Sequence, residues 1–281
     1  MPPPTPKIPG YELHACLGGG TLTSVYAARN LETDAPCAIK LLRPDWTEEP
    51  VAIKLLQREA RASLAVRHAN LVALRDAHVT RPPYYLVLEM LAGESLRRRL
   101  RRDYRIGATP SLCIVRQIAD ALAALHRKGF IHGDVKPDNI RLIEPCRAVL
   151  LDLGFAHRPG ENARLREDGY ILGTANYLAP ELCGSEPKDD PRSDIFSLGV
   201  TLFEMLTGVL PYPPGSERET LRRRQADVPF DLCDHMANPP AGLPELVDSL
   251  LAAEPQERPH ALGLVHDLVE LEIKALGRRA A

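Results

Sequence analysis

The octapeptide HGDVKPDN (His132 to Asn139) carries an aspartate, a lysine two positions on and an asparagine five positions on. A second aspartate opens DLG (Asp152 to Gly154), directly after the apolar run Val149 to Leu151. These residue types in this order suit phosphoryl transfer. One carboxylate can orient a hydroxyl nucleophile, while an amide oxygen and a second carboxylate hold Mg²⁺ on the phosphates. Upstream, LGGGTLTSVY (Leu17 to Tyr26) is glycine-rich, so backbone N–H groups there can approach phosphate oxygens without a Cβ in the way. Each piece alone reads equally well as a surface loop or a hairpin turn. Their order and spacing carry the signal.

The elements that must position these residues divide the chain in two. The first ten residues hold five prolines and are expected to form an extended, disordered leader (1–10). From Tyr11 to about Tyr85 the pattern is strand-rich. Tyr11 to Leu17 and Ser24 to Asn30 read as strands around the glycines, and a turn at 32–34 leads into the strand Cys37 to Leu42. Glu48 to Val66 reads as a helix with Ile53, Leu56, Ala60 and Leu64 near one face. Tyr85 to Leu91 is a short apolar strand, with AGES as connector. Beyond it the pattern is helical: Leu112 to Lys128 ending at Gly129, then Ser193 to Leu206, Leu243 to Ala252 and Pro259 to Leu276. The expectation is an α+β fold, a small antiparallel sheet lobe with one main helix and a larger helical lobe. The boundaries are about 11–88, a hinge at 89–93, and 94–277.

Composition excludes several classes. The chain has 281 residues, 44% hydrophobic and 26% charged, with a net charge of -2, so no global field draws it to nucleic acid or an anionic membrane. Six scattered cysteines without a CxxC pair argue against a zinc site or a disulfide framework and for a reducing compartment. No apolar run approaches the roughly 18 residues of a membrane span, and the N-terminus lacks a signal peptide's apolar stretch. A cytoplasmic location is expected, with regulation by another chain or by abundance. The arginine-rich stretches 96–105 and 221–225 read as solvated helix faces. His68 and His126 read as packed or capping residues, and Cys183 as inert.

From Tyr11 to Leu276 the sequence resembles the protein kinases, specifically the eukaryotic-like (Hanks-type) Ser/Thr kinases of bacteria. The resemblance rests on LGGGTLTSVY, CAIK (Cys37 to Lys40), REA with Glu59, HAN (68–70), LVLEM, HGDVKPDN, DLG, GTANYLAPE (Gly173 to Glu181), DIFSLG and PQERP. It implies ATP with Mg²⁺ (or Mn²⁺), bound between two lobes, and protein substrates with Ser/Thr acceptors. By the same resemblance Leu17, Gly18, Gly19 and Gly20 border the phosphates, and Val25 and Ala38 cover adenine. Leu88 is the gatekeeper, and Glu89 and Leu91 offer backbone bonds to the adenine edge. Asp134 orients the acceptor hydroxyl, Lys136 neutralises the transferring phosphate, and Thr174 braces both. Asn139 and Asp152 hold metal. Glu181 with Arg258, and Asp194 with the catalytic-loop backbone, are structural ties.

One ambiguity is internal to the sequence. CAIK ends at Lys40, but VAIK (Val51 to Lys54) reads the same way. With Lys40 as the phosphate lysine, a following helix can bring Glu59 back to pair with it. Lys54 would lie five residues from Glu59, about 140° away on a shared helix at about 100° per residue. VAIK is therefore expected to open the helix.

Three departures from the family pattern stand out. Thr23 takes the place of the third glycine, stiffening the loop tip. Arg141 stands where an apolar residue usually floors the adenine, its stem expected to pack with the guanidinium turned to solvent. Gly133 replaces the arginine that normally receives an activation-segment phosphate, and residues 155–172 contain no Ser or Thr. Receptor and acceptor are missing together, so activity independent of phosphorylation of this segment is expected. Two other readings compete. An aminoglycoside-type phosphotransferase shares HGD with the later Asn but lacks GTANYLAPE, Lys136 and DIFSLG. A non-catalytic pseudokinase scaffold conflicts with the presence of Lys40, Asp134, Asn139 and Asp152.

Overall fold

The computed structural model describes residues 6–170, 172–184, 186–213 and 215–277. Their packing divides the chain into two compact units. The first takes in the chain to His68, Val72–Ala92 and Asp152–Gly154. The second takes in Ala69–Leu71, Gly93–Leu151 and the chain from Phe155 onward.

The first unit is built from β1 (Tyr11–Gly19), β2 (Thr23–Asn30), β3 (Pro36–Leu42), α1 (Pro50–Ala65), β4 (Leu74–His78) and β5 (Tyr85–Glu89). The strands form an antiparallel sheet in the order β1-β2-β3-β5-β4. Its register pairs Val25 with Lys40, Ala27 with Ala38, Ala38 with Leu88 and Lys40 with Leu86. Directly opposed residues project to the same face, so Val25, Ala27, Ala38, Lys40, Leu86 and Leu88 line one side. The alternate residues Cys37, Ile39, Leu41, Tyr85 and Val87 pack on the other, in a core with Ile8 and Ala28.

Two expectations need correction here. The first five residues of the proposed leader lie outside the described residues, but Ile8 is buried and its carbonyl accepts from the Tyr11 N–H. Order therefore begins before Tyr11, because an isoleucine gains more by filling the sheet's core than it loses in chain freedom. On α1, Leu56, Glu59, Ala60 and Ser63 are buried, whereas Leu64 is 63% exposed. A helix at 100° per residue cannot turn Glu59 and Ser63 inward and Leu64 as well. VAIK does open this helix, which starts on Pro50 at its first position, where a missing N–H costs nothing. Lys54 is exposed.

The second unit contains β6 (Glu94–Ser95), α2 (Leu96–Asp103), α3 (Ala108–Arg127), β7 (Ile140–Ile143), β8 (Arg147–Leu150), α4 (Ala163–Glu167), α5 (Arg192–Thr207), α6 (Glu217–Ala226), α7 (Leu232–His235), α8 (Leu243–Leu250) and α9 (Ala261–Gly277). α5 is its axis, buried without a break from Ser193 to Thr207, with apolar residues on every side and its polar ones, Asp194 and Glu204 among them, hydrogen-bonded. α3 begins earlier than its apolar pattern indicates, since Pro110 is tolerated in a first turn. β6, β7 and β8 form a small second sheet that the sequence pattern did not reveal, being two to four residues long. Among the described residues no helix is long and apolar enough to cross a membrane.

Candidate active site

In the first unit β3 presents Lys40 on the sheet face that α1 covers with Glu59. The Lys40 Nζ donates to both Glu59 oxygens, at 2.9 and 2.7 Å, and to Asp152 Oδ1 at 2.6 Å. Lys40 and Glu59 are 6% and 2% exposed, so little water screens the pair. Burial alone would push the Lys40 ammonium down, but Asp152 and Glu59 outweigh it and hold its pKa above the ordinary lysine value. Burial pushes the Glu59 carboxyl up to about 7 against the pull of Lys40, and the negative charge of Asp152 adds to the rise. Asp152 itself sits at φ 58°, a left-handed conformation costing a non-glycine residue on the order of 1–3 kcal/mol. The Gly154 N–H holds it there, donating to Asp152 Oδ1 at 3.0 Å.

The glycine-rich turn closes where the Gly20 N–H donates to the Thr23 carbonyl at 3.0 Å. A Cβ on Gly19 would stand 2.6 Å from that carbonyl, so only glycine fits. Next to Gly18 and Gly20 a Cβ would meet nothing within 4 Å, which leaves room for a ligand beside the backbone. Leu17 is exposed, Val25 half-buried and Ala38 and Leu88 buried. The Glu89 N–H is spent on the Ala73 carbonyl at 2.9 Å, so only the Glu89 carbonyl could serve an adenine edge. Leu91 is half-buried.

In the second unit the loop after α3 carries Asp134, and Asp194 holds it from α5. The Asp194 carboxylate accepts from the backbone N–H groups of His132 (2.8 Å) and Gly133 (2.9 Å). Burial pushes its pKa up, but His126, His132 and the Gly133 N–H more than offset this and hold it below the ordinary range. Gly133 adopts φ 80°, which glycine takes without strain. Around Asp134 three side chains converge. Thr174 donates to Oδ1 at 2.7 Å and accepts from Lys136 at 2.6 Å. Lys136 also approaches Oδ2 at 2.7 Å. The Asn139 amide donates to Oδ2 at 2.9 Å and to the Asp134 carbonyl at 2.8 Å. That commits Nδ2 and leaves the amide oxygen of Asn139 as the acceptor end.

The remaining expected ties are also formed within this unit. Arg258 donates to both oxygens of Glu181, at 2.7 and 2.8 Å. Burial pushes the Cys183 thiol up to about 12, which leaves it a poor nucleophile. Arg141 lies half-buried on β7. Burial and the neighbouring Arg98 depress its pKa.

Sequence reasoning missed three residues. Arg97 and Arg224, read as parts of solvated faces, turn inward. Arg97 binds Asp138, Tyr177 and Glu204. Arg224 stacks 4.0 Å over the Tyr212 ring and donates to the Asn176 carbonyl. Asp189 gathers the segment after DLG, accepting from Arg166 (2.6 Å), the Gly160 N–H (2.8 Å) and the His157 ring (3.1 Å). Burial would raise its pKa, but these donors hold it well below the usual carboxylate range. An arginine every few positions gives no sign of which one faces in.

Comparison with known proteins matches residues 11–269 to the protein kinase domain family. The serine/threonine-protein kinase PkaB of Streptomyces coelicolor is 34% identical over 271 residues, covering 93% of this chain and 63% of that protein. PknB of Mycobacterium leprae is 31% identical over 88% of this chain and 40% of its own length. PrkC of Bacillus subtilis is 31% identical over 78% and 34%. The chain thus spans about one third to just under two thirds of these relatives. With its two-lobed α+β fold and a family match running from β1 into α9, the chain belongs to the protein kinase family.

Proposed function

We propose that the protein is an ATP-dependent serine/threonine protein kinase that passes the γ-phosphoryl group to protein hydroxyls. The observation that carries this reading is Asp134, whose two oxygens are oriented by Thr174, Lys136 and Asn139. In it Asp134 receives the acceptor hydroxyl, and Lys136, three donors on a flexible stem, follows the transferring phosphate. Lys40 holds the non-transferred phosphates and is itself held by Glu59. The donors fit a magnesium ion: the Asn139 amide oxygen and the Asp152 carboxylate are hard oxygen ligands. Among the described residues no group of three acidic, His or Cys side chains gathers for a metal, so phosphate oxygens and water would supply the remaining ligands. When bound, the ion neutralises charge on the phosphates. Phosphate transfer to a generic basic protein, run beside a panel of sugars and aminoglycosides, tests the reading. Transfer to the small molecules alone would replace it with a small-molecule phosphotransferase, and transfer to neither with a pseudokinase.

The reading extends to regulation. Asp189 supports it by holding Arg166, Gly160 and His157 without any phosphate, in a segment with no Ser or Thr from Phe155 to Leu172. A carboxylate within the protein does the ordering that a charge-assisted phosphate contact does elsewhere. Phosphatase-treated enzyme should keep most of its initial rate, with no lag on adding ATP. A rate that collapses on dephosphorylation and returns with a phosphate on this segment would overturn this part.

A further inference from the structure

Arg97 lies on α2, next to the buried Leu96, and its guanidinium spans three separate parts of the second unit. Nε donates to Asp138 Oδ2 at 3.1 Å, one residue before Asn139. Nη1 donates to Glu204 Oε1 on α5 at 2.5 Å. Nη2 donates to the Tyr177 hydroxyl, three residues beyond Thr174. The Tyr177 hydroxyl in turn donates to Glu204 Oε2 at 2.6 Å, closing a ring of polar contacts. Tyr177 and Glu204 are 5% and 8% exposed, so the ring is largely cut off from water.

Three acceptors in different directions require the planar fork of an arginine, which a lysine's single ammonium cannot imitate. Burial pushes the Tyr177 phenol up, as does the charge of Glu204, so it remains a donor. The Arg97 guanidinium and the Tyr177 hydroxyl bond to one another, to Asp138 and to Glu204 rather than to the side chains of Asp134, Lys136 or Thr174, while the Tyr177 N–H donates to the Thr174 carbonyl at 2.8 Å. Their reach is to the chain on either side of those residues.

We propose that Arg97 is a positioning residue for the protein substrate, locking the loop that carries Asp134 and Asn139 to the segment that carries Thr174 and Tyr177. This rests on the kinase reading and adds a role for α2. Losing the fork frees the Tyr177 segment to shift against the catalytic loop. A bound protein hydroxyl must lie correctly against both, whereas Lys40 and the glycine turn, assigned to the phosphates, belong to the first unit, and Asn139, assigned to the metal, keeps its own two bonds to Asp134.

The test compares wild-type enzyme with Arg97→Met, Arg97→Lys and Tyr177→Phe, measuring KM for a generic basic protein and KM for ATP separately. Wild-type transfer to protein by itself decides the kinase reading, so the variants address only the lock. Arg97→Met should raise KM for the protein about tenfold or more, the size of one buried charge-assisted hydrogen bond, while KM for ATP stays within about twofold. Arg97→Lys should recover only part of the loss, and Tyr177→Phe should show about a threefold rise. Should Arg97→Met fail to fold, the other two, which keep charge or ring volume, decide the matter. The lock is overturned if KM for the protein stays at the wild-type value in them. It is equally overturned if both KM values and kcat change in parallel with a fall in Tm.

Discussion

The two clusters of chemistry-bearing residues are built on opposite physical plans. Around Lys40, a buried ammonium stands between the buried carboxylate of Glu59 and the part-exposed carboxylate of Asp152, supplied by a strand, a helix and the DLG turn. Around Asp134, one carboxylate is aimed by a hydroxyl, an amide and a partly exposed ammonium, all on loops pinned by Asp194 and the α5 axis. The first plan concentrates charge around a Lys40–Glu59 pair that water screens little, which suits gripping phosphates. The second fixes direction, which suits presenting a hydroxyl in line. In the first cluster desolvation raises the Glu59 carboxyl, while Asp152 and Glu59 raise the Lys40 ammonium against it. The difference shows where each plan should break.

The largest expected effect lies in the directional cluster. Asp134→Asn should cut kcat by about 10³-fold, in the range of a lost general base, with ATP affinity retained. Asp152→Asn should instead lose Mg²⁺-dependent nucleotide binding along with turnover. Nucleotide titration of both variants checks this division, and equal loss of affinity would erase the contrast. Next comes Lys40→Met, expected to lower turnover by about 10²-fold through misplaced phosphates while leaving the fold intact by circular dichroism.

pH sharpens the comparison further. The Glu59 carboxyl, raised to about 7, is neutral below that pH, so the Lys40–Glu59 ion pair completes itself only as pH rises through it. Initial rate at saturating ATP should climb across that window, and in Glu59→Gln the climb should vanish at a lower plateau. The sign for stability is the reverse. The folded state holds a proton there that the unfolded state has released above about 4.5, so Glu59's share of stability falls as pH rises from there to about 7. Asp189 behaves in the ordinary direction. Its pKa is depressed, so its contribution is complete above the usual 3.8 and fades as pH falls below that. Asp189→Asn should lower Tm at neutral pH and flatten the acid limb of the Tm profile. The smallest effect belongs to Lys54→Met, since Lys54 is exposed on α1 and no role is assigned to it. Its activity should stay within about twofold of wild type, as for an ordinary surface substitution. A dead Lys54 variant beside an active Lys40 variant would reverse the assignment of the two lysines.

Much of this architecture was readable from the chain alone, because its signals are local. Alternating apolar residues, the glycine cluster and the Asp-Lys-Asn spacing survive in one dimension. So does the pairing of Glu59 with Lys40 rather than Lys54, which needed only the angular step of a helix. The order of the motifs carries the family resemblance by itself. Tertiary structure decided the rest: which arginine of LRRRL faces inward, which residue of α1 meets solvent, and where Asp189 and Ile8 go. In each case the deciding partner is remote or depends on how an element's face is turned. Arg97 meets Glu204 107 positions away, and Arg166 meets Asp189 23 positions away. The Arg97 guanidinium leaves water because carboxylates and a phenol converge on it, and that convergence belongs to the packed fold, where burial makes unpaired charge expensive.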